Sequence, residues 1–128
     1  MPASILIADD DPNILRALAF IMQRAGHFVR TARDGTEALA AVAAEPPDVL
    51  LLDLMMPRGN GLEVCRTLRA HPAYDDLRII MLTARGQDAE QRNGLALGAD
   101  AYVTKPFAIE EVANAVAEML ARPRRERA

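Results

Sequence analysis

The strongest constraint on the fold is an alternation that occurs five times along the chain. Short apolar runs typical of buried strands alternate with longer segments whose apolar residues recur at helical spacing. The apolar runs are 4–8, 27–32, 48–53, 78–83 and 101–104. The first helical segment begins at Pro12 and ends before a stop signal at Gly26, and the other four are 36–44, 62–70, 88–97 and 109–121. Single helices between short buried strands favour a five-stranded parallel sheet with helices on both faces. Right-handed crossovers then predict a doubly wound (βα)5 fold, a three-layer α/β sandwich.

Local signals support this assignment and bound the domain. Asp11 precedes Pro12, so we expect Asp11 to cap the first helix and Pro12 to occupy its first position. The run 48–53 (DVLLLD) is apolar at consecutive positions, as expected for a central parallel strand buried on both faces. A chain of 128 residues has room for one core. We therefore expect one domain, 1–121, followed by a basic tail, 122–128.

The inventory of reactive side chains excludes several classes of function. Ser4 is the only serine, which argues against a serine-triad hydrolase. One cysteine, Cys65, and two histidines leave no disulfide or CxxC pair and argue against a zinc site. The longest apolar run, 38–44, falls short of the roughly 18 residues of a membrane span, so we expect a cytoplasmic protein with no membrane contact. The net charge of −3 gives no reason to expect direct nucleic acid binding.

Carboxylates, a hydroxyl and the only lysine follow the predicted strands at the edge where those strands end. They are Asp9 and Asp10 after the first strand, Asp53 at the end of the third, Thr83 at the end of the fourth and Lys105 after the fifth. In an open parallel sheet, ligands bind outside the carboxyl ends of the strands. We therefore expect these side chains to converge on one rim of the sheet.

Taken singly, each residue has a structural and a functional interpretation. Asp53 could cap a turn, or it could be an aspartyl nucleophile that forms an acyl phosphate. Asp9 and Asp10 could belong to a surface acidic loop, or they could bind Mg²⁺ or Mn²⁺, because a close carboxylate pair costs about 4 kcal/mol without a cation. Thr83 could be an ordinary strand residue or a hydrogen-bond donor to a phosphoryl oxygen. Lys105 could be a chance surface lysine or a compact ammonium aimed at a phosphoryl oxygen.

Four stretches that contain these residues resemble the receiver domain of two-component response regulators. They are ILIADDD (5–11), DVLLLDLMMPRGNGLE (48–63), IIMLTAR (79–85) and GADAYVTKPF (98–107). They follow the family's order, with thirty residues from Asp53 to Thr83 and twenty-two from Thr83 to Lys105. The resemblance implies a flavodoxin-like, CheY-like fold and a signalling switch rather than an enzyme with turnover.

The resemblance also implies a phosphorylation site and its metal. Asp53 would accept a phosphoryl group from the phosphohistidine of a sensor histidine kinase or a histidine phosphotransfer protein. Asp10 would bind Mg²⁺ directly and Asp9 through water. Asp53 and the backbone carbonyl of Met55 would supply further metal ligands.

The same resemblance implies a switch and its partners. Thr83 would bond the phosphoryl group in the active state, Lys105 would pair with Asp53 or its phosphate, and Tyr102 would turn inward. The fourth predicted helix, the fifth strand and the fifth helix would form the face that binds a downstream target protein or an output domain. Phosphorylation could also drive formation of a homodimer.

The residues themselves leave other functions open. A Mg²⁺-dependent aspartyl-phosphate phosphatase or phosphotransferase would use the same nucleophile, but it usually carries a second acid where Met55 stands. A nucleotide or flavin binder would carry a glycine-rich motif after the first strand, where DDDP stands. In the family that the chain resembles, the positions two residues after Asp53 and Thr83 vary and affect hydrolysis. Here they are Met55 and Arg85, which are poorly suited to orient water, so the resemblance implies an acyl phosphate that lasts for minutes or longer.

Overall fold

Five parallel strands form one sheet in the order β2-β1-β3-β4-β5. The structure is a computed structural model that describes residues 2–58, 60–84 and 98–122. The strands are β1 (Ser4–Ala8), β2 (Phe28–Ala32), β3 (Val49–Asp53), β4 (Arg78–Ala84) and β5 (Ala101–Lys105). The helices are α1 (Pro12–Arg24), α2 (Gly35–Ala44), α3 (Gly61–Arg69) and α4 (Ile109–Ala121), with a 3₁₀ turn at Pro72–Tyr74.

The predicted fold is confirmed, and the boundaries of these predicted strands and helices lie within two residues of the observed ones. The predicted helix 88–97 lies outside the described residues, as does the tail beyond Arg122. None of the helices that the structure does describe is long and apolar enough to cross a membrane.

The core consists of two apolar layers, one on each face of the sheet. On one face α1 and α4 pack against the sheet, and on the other α2 and α3 do so. β3 is completely buried and divides its side chains by the two-residue strand period: Val49 and Leu51 face α1 and α4, whereas Leu50 and Leu52 face α2 and α3. This pattern explains the consecutive apolar residues that mark β3 in the sequence, and it brings Asp53 to the rim.

Capping residues set the start of the helices that follow the rim. Asp11 has extended backbone, and its Oδ1 accepts a hydrogen bond from the Asn13 amide (2.9 Å), with Pro12 as the first helical residue. This confirms the predicted cap. Gly26, with φ of +93°, stands at the end of α1, where a left-handed backbone conformation favours glycine.

At the opposite end of the sheet, Arg69 of α3 bonds to the 3₁₀ turn and to the segment before β5. Its guanidinium donates to the Gly98 carbonyl (3.0 Å), the Tyr74 carbonyl (2.7 Å) and Asp100 Oδ2 (3.0 Å). Asp100 Oδ2 also accepts from the Ile79 amide (2.8 Å), so the same carboxylate holds the start of β4. The Arg69 and Asp100 side chains are only 11% and 16% exposed, and the ion pair therefore ties α3 to β4 and to the segment before β5.

Candidate functional site

Two of the predicted site carboxylates are brought together by the pairing of the central strands. Ala8 of β1 lies opposite Leu52 of β3, so Asp9 and Asp53 are the next residues along neighbouring strands. Both are buried, with 0% and 4% of their surface exposed, whereas Asp10 is exposed. Asp53 thus lies between the open rim and the apolar core beneath it.

Lys105 reaches both buried carboxylates from the edge strand. Its Nζ donates to Asp9 Oδ2 at 3.2 Å and to Asp53 Oδ1 at 3.3 Å. β4 separates β5 from β3, so two inter-strand spacings of about 4.8 Å must be spanned, which suits the long lysine side chain. The Lys105–Pro106 peptide bond is cis.

The hydrogen bonds occupy the four oxygens of Asp9 and Asp53 unequally. Asp9 Oδ1 accepts from the Asp11 amide (2.9 Å), and Asp9 Oδ2 accepts from Lys105, so both of its oxygens are engaged. Asp53 Oδ1 accepts from Lys105 and from the Met55 amide (3.3 Å). Within the described part of the chain, Asp53 Oδ2 accepts no hydrogen bond, which leaves one oxygen of the buried carboxylate available.

The site carries more negative charge than its single ammonium offsets. Burial, and to a smaller extent the neighbouring Asp9 carboxylate, raise the pKa of Asp53 to about 7 even though Lys105 and the Met55 amide oppose them. For Lys105, burial disfavours the charged form, but the Asp53 and Asp9 carboxylates outweigh it and raise the pKa above its usual value. Lys105 is therefore charged at neutral pH, while Asp53 is divided between its two forms.

The donor set fits a hard divalent cation. Asp9, Asp10 and Asp53 each offer one carboxylate oxygen, and these oxygens lie within 4.8 Å of one another. The cluster contains no nitrogen or sulfur donor, so Mg²⁺ or Mn²⁺ matches it better than zinc. Asp10 is exposed, which leaves room for the waters that Mg²⁺ retains.

Met55 lies beside this cluster, and its amide donates a hydrogen bond to Asp53, while its side chain is exposed.

Thr83 and Tyr102 lie on neighbouring strands and on the same face of the sheet. Thr83 is fully buried at the carboxyl end of β4, two residues after Met81, which pairs with Tyr102 of β5. The Tyr102 ring packs against the apolar layer that faces α2 and α3, and its hydroxyl oxygen is buried. Thr83 therefore lies at the rim, and Tyr102 is its diagonal neighbour on the adjacent strand. Arg85 and the predicted helix 88–97 lie outside the described residues.

Two residues that help to position the site, Asn60 and Gly61, were not predicted from the sequence. Asn60 caps α3, because its Oδ1 accepts from the Glu63 amide (3.0 Å). The Asn-x-x-Glu pattern before an apolar helix resembles a capping box and could have indicated this role. Gly61, the first residue of α3, lies directly against the backbone of Asp53, and no sequence signal announces that contact.

Comparisons with known proteins converge on one family. Residues 5–117 match the family model of the response regulator receiver domain. Response regulator MprA of Mycolicibacterium vanbaalenii is 46% identical over 122 residues, which are 95% of this chain and 52% of the relative. MprA of Mycobacterium ulcerans is 45% identical over 126 residues, 98% of this chain and 53% of the relative. The chain therefore spans about half the length of the curated relatives it matches. The chemotaxis response regulator CheY4 of Vibrio cholerae superposes with a TM-score of 0.87 at 32% identity, covering 93% of this chain and 99% of that one.

Proposed function

Because the chain belongs to the response regulator receiver domain family, we propose that Asp53 is the residue on which it is phosphorylated. The observation that carries this proposal is the asymmetry of the Asp53 carboxylate. Lys105 and the Met55 amide both bond to Oδ1 and hold the group in place. Oδ2 accepts no hydrogen bond from the described residues and is the oxygen proposed to receive the phosphoryl group.

The proposed reaction is a transfer from a phosphohistidine to a carboxylate. The bond between phosphorus and the imidazole nitrogen of the donor breaks, and a bond between phosphorus and Asp53 Oδ2 forms. The released imidazole nitrogen takes up a proton from solvent. This transfer depends mainly on positioning and charge neutralisation, which fits a buried carboxylate with an ammonium bonded to it.

We propose that Mg²⁺, or Mn²⁺, is bound by Asp10 and Asp53, with Asp9 acting through water and the Met55 carbonyl as a further ligand. The engagement of both Asp9 oxygens supports an indirect role for Asp9, and the exposure of Asp10 supports a direct one. When bound, the cation neutralises the clustered carboxylates and the phosphoryl oxygens. Lys105 adds the second positive charge.

The proposed switch uses the residues around the acceptor. A phosphoryl group adds a charge of about −1.5 to −2 and new acceptor oxygens. Lys105 would exchange its bond to Asp53 for one to the phosphoryl group, and the Thr83 hydroxyl would donate to a phosphoryl oxygen. Movement of Thr83 would leave space for Tyr102 on the adjacent strand, which is a packing change between two states.

The proposed partners follow from these states. The donor is a sensor histidine kinase or a histidine phosphotransfer protein. The phosphorylated state would bind a downstream target, an output domain or a second copy of the chain through the face that includes β5 and α4. The alternative of a Mg²⁺-dependent phosphatase or phosphotransferase is not favoured, because the family match covers most of the chain and Met55 stands where a second acid would be required.

Intact-mass measurement after incubation with acetyl phosphate and Mg²⁺ tests this assignment. The parent is expected to gain one phosphoryl group, and Asp53→Asn to gain none. Asp48→Asn is the matched control, because Asp48 precedes the same strand at its other end, where its Oδ2 accepts from the Ser4 amide. The control should be modified like the parent, and chelation of the metal should prevent modification. Equal modification of Asp53→Asn and the parent would remove Asp53 as the acceptor.

A further inference from the structure

We propose that Gly61 is a positioning residue for the phosphoacceptor, because its lack of a side chain lets α3 lie against the backbone of Asp53. This inference rests on the proposed function, since it concerns the residue assigned as the phosphoryl acceptor. Gly61 is buried and is the first residue of α3. Its position relative to Asp53 therefore determines how the helix meets the end of β3.

The distances leave no room for a β-carbon at this position. A Cβ on Gly61 would lie 2.5 Å from the Asp53 carbonyl oxygen, 2.9 Å from Leu54 Cα and 3.1 Å from the Asp53 carbonyl carbon. Real Cβ atoms essentially never approach other heavy atoms below 3.0 Å, so alanine requires a movement of at least 0.5 Å, the difference between 3.0 and 2.5 Å. All three neighbours are backbone atoms, which cannot rotate away as the end of a side chain can.

The strand side of this contact is held firmly. Asp53 pairs with Leu82 in the centre of the sheet, and the Leu54 amide donates to the Leu82 carbonyl (2.9 Å). The Gly61 amide donates to the Leu54 carbonyl (2.8 Å) and fixes the helix to the same segment. Relief of a clash must therefore displace the first turn of α3 and the connection between Asp53 and Gly61.

That connection also holds the Asp53 carboxylate. The Met55 amide lies within it and donates to Asp53 Oδ1 at 3.3 Å. A displacement of about 0.5 Å is comparable with the tolerance of a preorganised site. We therefore expect a side chain at Gly61 to move the acceptor oxygens relative to Lys105 and the metal-binding carboxylates.

Backbone conformation does not account for this glycine. Within the described residues, the glycines with positive φ are Gly26 and Gly98, and Gly61 is not among them. The first position of a helix has no general requirement for glycine. Gly26 is the opposite case, because its φ is +93° and no atom lies within 4 Å of the place its Cβ would take. Gly26→Ala is therefore a matched control that strains the backbone far from Asp53.

The test compares the phosphorylation rates of the parent, Gly61→Ala and Gly26→Ala with acetyl phosphate. The rate is followed by intact mass over a series of Mg²⁺ concentrations, which separates the rate at saturating metal from the concentration needed for half that rate. Gly61→Ala is expected to be at least about 10-fold slower at saturating Mg²⁺, because a misplacement of about 1 Å can cost about 100-fold. Gly26→Ala should keep nearly the parent rate despite a lower urea midpoint.

A metal-free measurement and a second variant complete the test. Amide resonances of Leu54 and Met55 should shift in Gly61→Ala and stay in place in Gly26→Ala. Asn60→Ala removes the cap of α3, a hydrogen bond of 3.0 Å, and loosens the first turn without adding atoms. It should slow phosphorylation less than Gly61→Ala, and it decides the question if Gly61→Ala does not fold.

The outcomes separate this inference from the assignment of Asp53. If the parent is phosphorylated, Asp53→Asn is not, and neither Gly61→Ala nor Asn60→Ala slows the reaction, the positioning role is refuted and the acceptor stands. If Gly61→Ala and Gly26→Ala lose rate equally, general destabilisation explains the effect and the role is also refuted. If the parent takes up no phosphoryl group at Asp53, both proposals fail together.

Discussion

Replacing Asp53 by asparagine should stabilise the metal-free protein, and the gain should increase with pH. The folded state raises the pKa of Asp53 from 3.8 to about 7 through burial, with Asp9 adding to the effect. Between these two values the folded state holds the proton and the unfolded state does not. The parent therefore loses stability as the pH rises from about 4 towards 7, and the loss levels off above the folded pKa.

The size of this effect follows from the shift in pKa. A change from 3.8 to about 7 corresponds to at most about 4 kcal/mol in the free energy of unfolding at pH 8.5. Asparagine keeps the shape of the side chain and does not ionise, so the variant avoids this cost. At pH 5 roughly a third of this cost is already present, because the unfolded state is ionised there; the two proteins should differ little only below about pH 4, where Asp53 holds its proton in both states.

Urea denaturation followed by circular dichroism, in chelator and at several pH values from 5 to 8.5, measures this difference. Titratable groups distant from the rim behave alike in both proteins and cancel in the comparison. Asp76→Asn, a substitution away from the rim, is the control and should show no such increase. If the difference in the free energy of unfolding between the parent and Asp53→Asn stays constant over this pH range, the interpretation of Asp53 as a buried carboxylate with incomplete charge compensation is refuted. Added Mg²⁺ should restore stability to the parent at high pH, since a ligand that binds only the folded state stabilises it.

Three further predictions address the metal, the clamp at the other end of the sheet and the lifetime of the phosphorylated state. Mg²⁺ affinity, measured by calorimetry, should fall about 10-fold per pH unit below pH 7, because the proton on Asp53 competes with the cation; affinity that does not change with pH contradicts this. Arg69→Ala should cost about 2–4 kcal/mol in urea denaturation, because it removes the ion pair of the partly buried Asp100 carboxylate. Arg33→Ala removes an exposed pair and should cost under about 1 kcal/mol. The phosphorylated protein, freed of donor, should keep its phosphoryl group for minutes or longer in intact-mass measurements, and its complete loss within seconds would contradict the interpretation of Met55 and Arg85.

Sequence periodicity was sufficient for the elements that depend on local pattern. The apolar run of β3 predicted a central strand, and Asp11 before Pro12 predicted the start of α1, because burial and capping leave marks within a few residues. Sequence periodicity could not show that Asp9 accepts hydrogen bonds from both Lys105 and the Asp11 amide. Nor could it show that Arg69 reaches the Gly98 carbonyl or that Gly61 contacts Asp53. These contacts depend on the distance between packed elements, which no periodicity contains.

The charge balance of the rim supports the proposal that a cation and a phosphoryl group act on the same residues. Asp9, Asp10 and Asp53 supply three carboxylates, and Lys105 is the ammonium bonded to two of them. The raised pKa of Asp53 shows that one ammonium does not offset the burial of that carboxylate. A second positive charge is therefore needed before Asp53 is fully ionised at neutral pH and able to act as a nucleophile. Under the proposed function, a phosphoryl group would add further negative charge, and Lys105 would divide its hydrogen bonds differently. A rim that starts with too little positive charge would thus make phosphorylation depend on the metal and the position of Lys105 depend on phosphorylation.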